Sequence, residues 1–251
     1  MEKYPSPNNG LILLGKWTSE KLDALLHESS KLNDIGSRID FLSRHFLETP
    51  YQESTLIGDI NTPEVFVINL EGVDCFTFLD YIESMRLSSS FQEFKENVKK
   101  VRYQKGETVS FEKRNHFFTD WREFNSTRID DVTERIGGET VIRVKKLLNK
   151  KEDGTCSLPG IQPKERFIHY IPVNAIDNGI IDRLKTGDYI GIYATEKGLD
   201  VSHVGIFIQE GEKIYLRHAS SLEEQRKVVD QHFKDYIVGK PGIIVLRSKK
   251  L

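Results

Sequence analysis

The chain has 251 residues, 38% hydrophobic and 29% charged, with a net charge of −2 and a pI near 6.4, which suits a globular protein with a sizeable core. That balance offers no basic surface for nucleic acid or an anionic membrane, and no apolar run approaches the roughly 18 residues of a spanning helix. The only cysteines are Cys75 and Cys156, so one disulfide is arithmetically open but a disulfide framework is excluded.

In chain order, residues 1–10 read as an irregular arm. The apolar run Leu11-Ile12-Leu13-Leu14 is too short for the core of a signal peptide. Thr18 or Ser19 can cap a helix carrying Leu22, Leu25 and Leu26. Ile35, Ile39, Leu42 and Phe46 continue at helical spacing in a second helix. It must stop near Thr49-Pro50-Tyr51, because the residue before a proline avoids helical angles. Val65 to Leu70 reads as a short strand. It leads into Gly72-Val73-Asp74-Cys75-Phe76-Thr77-Phe78, where a loop becomes a helix. Asp74 is a good N-cap. Behind it Cys75, Phe78 or Leu79, Ile82, Met85 and Leu87 recur at roughly helical spacing. The sulfur is expected in the first turn, where unpaired N–H groups and the helix dipole favour a thiolate.

Phe91, Phe94 and Val98 suggest another helix, followed by a turn at Lys105-Gly106 and the polar-aromatic stretch Arg114 to Trp121. Residues 130–152 are mixed and charged around Gly137-Gly138, and Cys156 sits in a loop. The last third changes character. Strands are expected at Phe167 to Ile171, Tyr189 to Tyr193, Val201 to Ile208, Lys213 to Ala219 and Gly242 to Arg247. A short helix over Asp177 to Leu184 and a turn at Thr186-Gly187-Asp188 separate the first two. Helices first and an antiparallel meander later read as an α+β fold. There is no internal repeat. Residues 1–34 form an arm and helix, and 35–251 a single domain.

The chemistry gathers on few residues. Strand alternation puts His203 on a face with Val201, Gly205 and Phe207, and His218 on a face with Ile214 and Leu216. Gly205 leaves room for something to approach. The two strands make a hairpin, so both imidazoles can share one sheet face near one end. One could take a thiol proton while the other accepts from its Nδ1–H, as the third member of a catalytic triad does. Taken singly, each histidine is equally readable as structural and Cys75 as a small buried hydrophobe. A glycosidase built on two carboxylates stays open, because 38 acidic residues offer many pairs. Neither His-Glu-x-x-His nor Cys-x-x-Cys occurs, so no preformed zinc site is expected. His27, His45 and His232 fall on presumed helices facing solvent.

Val73-Asp74-Cys75-Phe76-Thr77-Phe78, Ser202-His203-Val204-Gly205-Ile206 and Leu216-Arg217-His218-Ala219-Ser220, in that order, resemble the NlpC-type papain-like cell-wall hydrolases. Gly187-Asp188 fits a turn common in that superfamily. Thr49-Pro50-Tyr51, Asn69-Leu70, Arg114 to Trp121, Tyr170-Ile171-Pro172 and Gly198-Leu199-Asp200 are similar to one branch of it, the N-acetylmuramoyl-L-alanine amidase-like proteins, over roughly residues 35–248. The resemblance implies a papain-like core with the nucleophile helix packed on an antiparallel sheet, plus N-terminal helices and insertions. It implies hydrolysis of the amide between N-acetylmuramic acid and L-alanine in peptidoglycan fragments, through a thioester and without a cofactor. Most of the wider superfamily instead cuts between D-glutamate and the diamino acid. By resemblance Cys75 is the nucleophile, His203 the base and His218 its orienter. The Cys75 N–H and Tyr51 are the candidate oxyanion or substrate contacts. His116, Asp120, Trp121 and Ser202 are softer candidates for substrate binding. A peptidoglycan substrate implies the bacterial envelope, most naturally the periplasm, with any signal peptide lying outside this sequence and the cytoplasm as the alternative. A catalytically silent muropeptide-binding module and a papain-like acyltransferase remain as alternatives.

Overall fold

The computed structural model describes residues 10–106 and 108–250; apart from Gly10, the expected arm lies outside the described residues. The apolar run at the start is a strand, β1 (Leu11–Leu13), paired in parallel with β2 (Val67–Asn69). Between them lie α1 (Ser19–Ser30), capped by the Thr18 side chain, and α2 (Ile35–Arg44), capped by Asp34. The chain leaves α2 in turns before Pro50, and the Glu48 N–H then donates to Val228 O at 3.0 Å.

Next comes α3 (Cys75–Arg86), around which the rest is packed. It starts at a capping box: Asp74 Oδ1 accepts from the Phe76 and Thr77 N–H groups at 2.9 and 2.7 Å, while Thr77 Oγ1 accepts from the Asp74 N–H at 3.1 Å. Ten of its residues, Thr77 to Arg86, are buried, so α3 is the enclosed central helix and not an amphipathic surface one. Its charged residues survive burial by pairing. Asp80 accepts from Arg102 Nε at 2.8 Å and from Trp121 Nε1 at 3.0 Å; Glu83 accepts from Arg86, Tyr189 and Ser248.

Beyond α4 (Phe91–Arg102) and α5 (Phe118–Phe124), the stretch expected to be merely mixed holds three elements, β3 (Ile129–Asp131), α6 (Thr133–Gly137) and β4 (Ile142–Leu148). Then follow β5 (Lys164–Pro172), α7 (Asn178–Ile181), β6 (Tyr189–Tyr193), β7 (Val201–Glu210), β8 (Lys213–Ala219), β9 (Val228–His232), α8 (Phe233–Ile237) and β10 (Gly242–Ser248). The main sheet runs β4-β5-β10-β6-β7-β8-β9, with β3 also on β10, and every pairing in it is antiparallel. Mixed helix and antiparallel sheet give the α+β class. Alternation along β7 splits the core: Val204, Ile206 and Ile208 pack with Phe78, Leu79 and Ile82 of α3, whereas Phe207 joins Leu216, Phe233 and Ile237 on the other side. The leucines of α1 belong to the same cluster as α3.

Two expectations are corrected. His232 ends strand β9 and is not helical, because Val228 and its neighbours close the sheet edge against Ser220 and Thr49. The space at Gly205 is taken by Leu216, whose Cδ1 would lie 2.9 Å from a Cβ added there. Both cysteines are free. Among the described residues no helix is long and apolar enough to cross a membrane.

Candidate active site

The sulfur of Cys75 sits where α3 begins, at the wall of a cavity of about 110 Å³ also lined by Phe76, His116, Phe118, Ser202 and His203. Larger clefts of about 360 and 540 Å³ lie elsewhere, one around Asp34 and Arg247 and one among lysines of β4 and its loop, and neither contains Cys75 or His203. The small cavity is where the nucleophilic and basic groups meet, and chemistry outranks volume as the criterion.

Asp74 takes the Phe76 and Thr77 N–H groups, so the first-turn donor left over by the cap is that of Cys75 itself. The expected thiolate is corrected. Burial, with the Asp74 carboxylate beside it, pushes the Cys75 thiol up to about 12, although the N–H groups of Val204, Cys75 and Phe76 work in the opposite direction. Desolvation by surrounding side chains outweighs the helix-start donors. The resting group is a thiol.

The β7–β8 hairpin brings the two histidines together. His203 Nε2 and His218 Nδ1 are 2.8 Å apart, with the rings nearly perpendicular at 88°. The contact therefore uses Nε2 of His203 and not its Nδ1, which corrects the expected pairing. Register slips between Ile192 and Tyr193, pairing Ile192 with His203 but Tyr193 with Val201, so Ser202 is the extra residue of a bulge. Bulges re-aim the neighbouring side chain. Upstream, Asp200 pins the approach to β7 by accepting from Thr119 N–H at 2.7 Å, Thr119 Oγ1 at 2.8 Å and Val201 N–H at 2.8 Å. Burial pushes His203 down to about 3, with His218 and Lys240 adding to it. Burial also pushes His218 down to about 4, against Gln231 and Asp230. Both imidazoles are neutral at neutral pH.

Two phenols stand close enough to Cys75 to feel its charge, although neither lines the cavity. Tyr51 runs beside Val73 in a parallel bridge, with the Val73 N–H donating to Pro50 O at 3.0 Å. Burial first, then the neighbouring Cys75, pushes its hydroxyl up to about 12. Tyr236 of α8 stands 4.8 Å from the His218 ring and 6.0 Å from His203, and burial and Cys75 raise its hydroxyl too. Both stay protonated and can donate.

The softer candidates separate. Ser202 is exposed on the rim, and His116 lines the wall with Nε2 held by Phe111 O at 2.7 Å. Burial takes His116 down to about 4. Asp120 instead pairs with Arg166 and lies 3.6 Å from Lys164 Nζ. Trp121 is fully buried, its Nε1–H given to Asp80 and its ring stacked on Phe118. Those two hold α5 in place and do not reach the cavity. Sequence reading missed Tyr236 and Gln231, whose Oε1 lies 3.3 Å from His218 Nε2. Neither stands in a recognisable motif, and β9 itself went unseen. Among the described residues no group of three or more His, Cys, Asp or Glu side chains is arranged to hold a metal ion.

The family model described as AmiA-like, N-acetylmuramoyl-L-alanine amidase-like, matches residues 41–243. A crystal structure of a Legionella pneumophila protein superposes with a TM-score of 0.78 at 23% identity, covering 92% of this chain and 94% of that one, a likeness of fold. An N-acetylmuramoyl-L-alanine amidase from Bacteroides uniformis superposes with a TM-score of 0.70 at 27% identity, over 86% of this chain and 99% of that one. A candidate xylanase from Bacteroides fragilis does so with a TM-score of 0.66 at 27% identity, over 82% and 98%. No curated protein matches the chain.

Proposed function

The chain belongs to the AmiA-like, N-acetylmuramoyl-L-alanine amidase-like family, and from that premise we propose that it is a cysteine amidase of the NlpC-type papain-like kind, cutting the amide between N-acetylmuramic acid and L-alanine in peptidoglycan fragments. The observation that carries this reading is the convergence of Cys75 and His203 on one cavity, with His203 bound through Nε2 to His218 at 2.8 Å.

The cycle follows from the protonation states. As Cys75 sulfur attacks the scissile carbonyl, its proton passes to Nδ1 of His203. The His218 Nδ1 lone pair, facing His203 Nε2, stabilises the imidazolium that forms. Charge on the carbonyl oxygen is met by the Cys75 N–H, with Tyr51 or Tyr236 as the second donor. His203 then protonates the leaving amine, and a thioester to the lactyl group remains. Water, deprotonated by His203, attacks that thioester and frees the thiol. A cavity of about 110 Å³ is below the usual size of a ligand pocket and encloses only the reacting amide and a methyl-sized side chain. The sugar and the rest of the peptide lie over the rim at Ser202 and His116. The compartment proposed for such a substrate is the bacterial envelope, most naturally the periplasm, with the cytoplasm as the alternative.

Defined muropeptides digested with the enzyme, with products weighed, test the reading. Release of peptide beginning with L-alanine supports it. Cleavage after D-glutamate reassigns the bond, a new reducing end points to a glycosidase, and binding without turnover leaves a silent module.

A further inference from the structure

We infer that Gln231 is a positioning residue that sets the tautomers of His218 and His203, so that Nδ1 of His203 stands unprotonated and ready for the thiol proton.

The register of β8 and β9 makes the contact. Leu216 pairs with Gln231 and His218 with Val229, so His218 and Gln231 are diagonal neighbours on one sheet face. Gln231 Oε1 lies 3.3 Å from His218 Nε2. A carbonyl oxygen only accepts, so this contact requires the proton on Nε2 of His218. A neutral imidazole carries one proton, and His218 Nδ1 is then a lone pair. His203 Nε2, 2.8 Å away, must be the donor to it. By the same count Nδ1 of His203 is unprotonated. One amide oxygen at the sheet edge thus decides the state of the base two rings away. Turning the amide over would reverse every donor and leave a proton on His203 Nδ1, where no thiol proton can go. The charged groups that act on the pair are Asp230 and Lys240 on His218 and Lys240 on His203. Asp230 is itself bound to Arg217 at 2.7 Å, and the Tyr236 ring covers both imidazoles. None of these accepts a hydrogen bond from His218 Nε2, so among the described residues the tautomer rests on Gln231.

The relay's kinetic consequence depends on the cysteine-amidase reading, but its tautomeric consequence does not. Long-range ¹H–¹⁵N spectra of the full chain read the tautomers directly, without substrate. The expected wild-type spectrum has Nε2 protonated and Nδ1 bare on both His203 and His218. In Gln231→Leu both rings are expected to become tautomer mixtures, kcat to fall about five- to tenfold and KM to hold. Gln231→Glu, whose carboxylate still only accepts, should keep the tautomers and most of kcat. It should also move the acid limb of kcat/KM to higher pH, because it favours the imidazolium. A proton on His203 Nδ1 in the wild type overturns the inference, as do unchanged tautomers in Gln231→Leu. If Gln231→Leu does not fold, the wild type and Gln231→Glu still decide. A chain with these tautomers but no turnover refutes the amidase reading and leaves the relay standing.

Discussion

The first turn of α3 and its middle differ sharply although they share one buried helix. In the middle, Asp80 and Glu83 are ionic groups out of water, and each is answered at once by Arg102, Arg86, Trp121 or Tyr189. Their hydrogen-bonding capacity is used up by the fold. At the first turn Cys75, Tyr51, Tyr236, His203 and His218 are all held neutral by burial. The two imidazoles bond to each other and to Gln231, but among the described residues none of the five is tied into an ion pair. Buried ions answered by opposite ions make structure, and buried neutral groups are the ones on which the proposed function draws.

The widest test of this contrast is Cys75→Ala. It is expected to remove at least about 10³-fold of the activity while moving thermal stability by no more than a few degrees. A large loss of stability would make the first turn structural after all. At the other end, Arg102→Met leaves Asp80 charged, buried and without its cation, and should cost about 3–5 kcal/mol in urea unfolding. The folded fraction should still turn over.

An effect of comparable size is set by pH. His116, His203 and His218 titrate near 6.5 when unfolded but only near 4, 3 and 4 in the fold. The unfolded chain therefore binds more protons below pH 6.5, so stability is full above that value and falls as pH drops towards 3. The slope is about 1.4 kcal/mol per pH unit for each histidine fully protonated only when unfolded. Unfolding measured at pH 7 and pH 5 should show the loss, and His116→Gln should reduce it. The smallest change expected is in Asp74→Asn. The cap survives, so stability should hold to within about 0.5 kcal/mol. Removing the carboxylate that raises the thiol should let Cys75 alkylation begin at lower pH.

Much of the site's framework could be read in residue order, because its signals are local. The Asp74 cap is a short-range hydrogen-bond pattern, and the strands carrying His203 and His218 announce themselves by alternation. What escaped had no local signal. Val228-Val229-Asp230-Gln231-His232 mixes buried and half-buried positions at a sheet edge, and β4 carries charge on both faces. With β9 unseen, Gln231 could not be placed beside His218, and Tyr236 had no address at all. Asp120 and Trp121 sat in the right stretch, but their partners Arg166 and Asp80 are distant in sequence.

Composition and spacing by themselves determined the α+β class, the helix start at Cys75 and the two histidine strands, since each depends on neighbours within a few residues. Only the tertiary structure decided the thiol's protonation, the ring nitrogen that faces His218 and the candidates that reach the cavity. Those outcomes depend on desolvation and on hydrogen bonds between groups far apart along the chain, and nothing in a linear pattern encodes how deeply a group will be buried or what will stand opposite it.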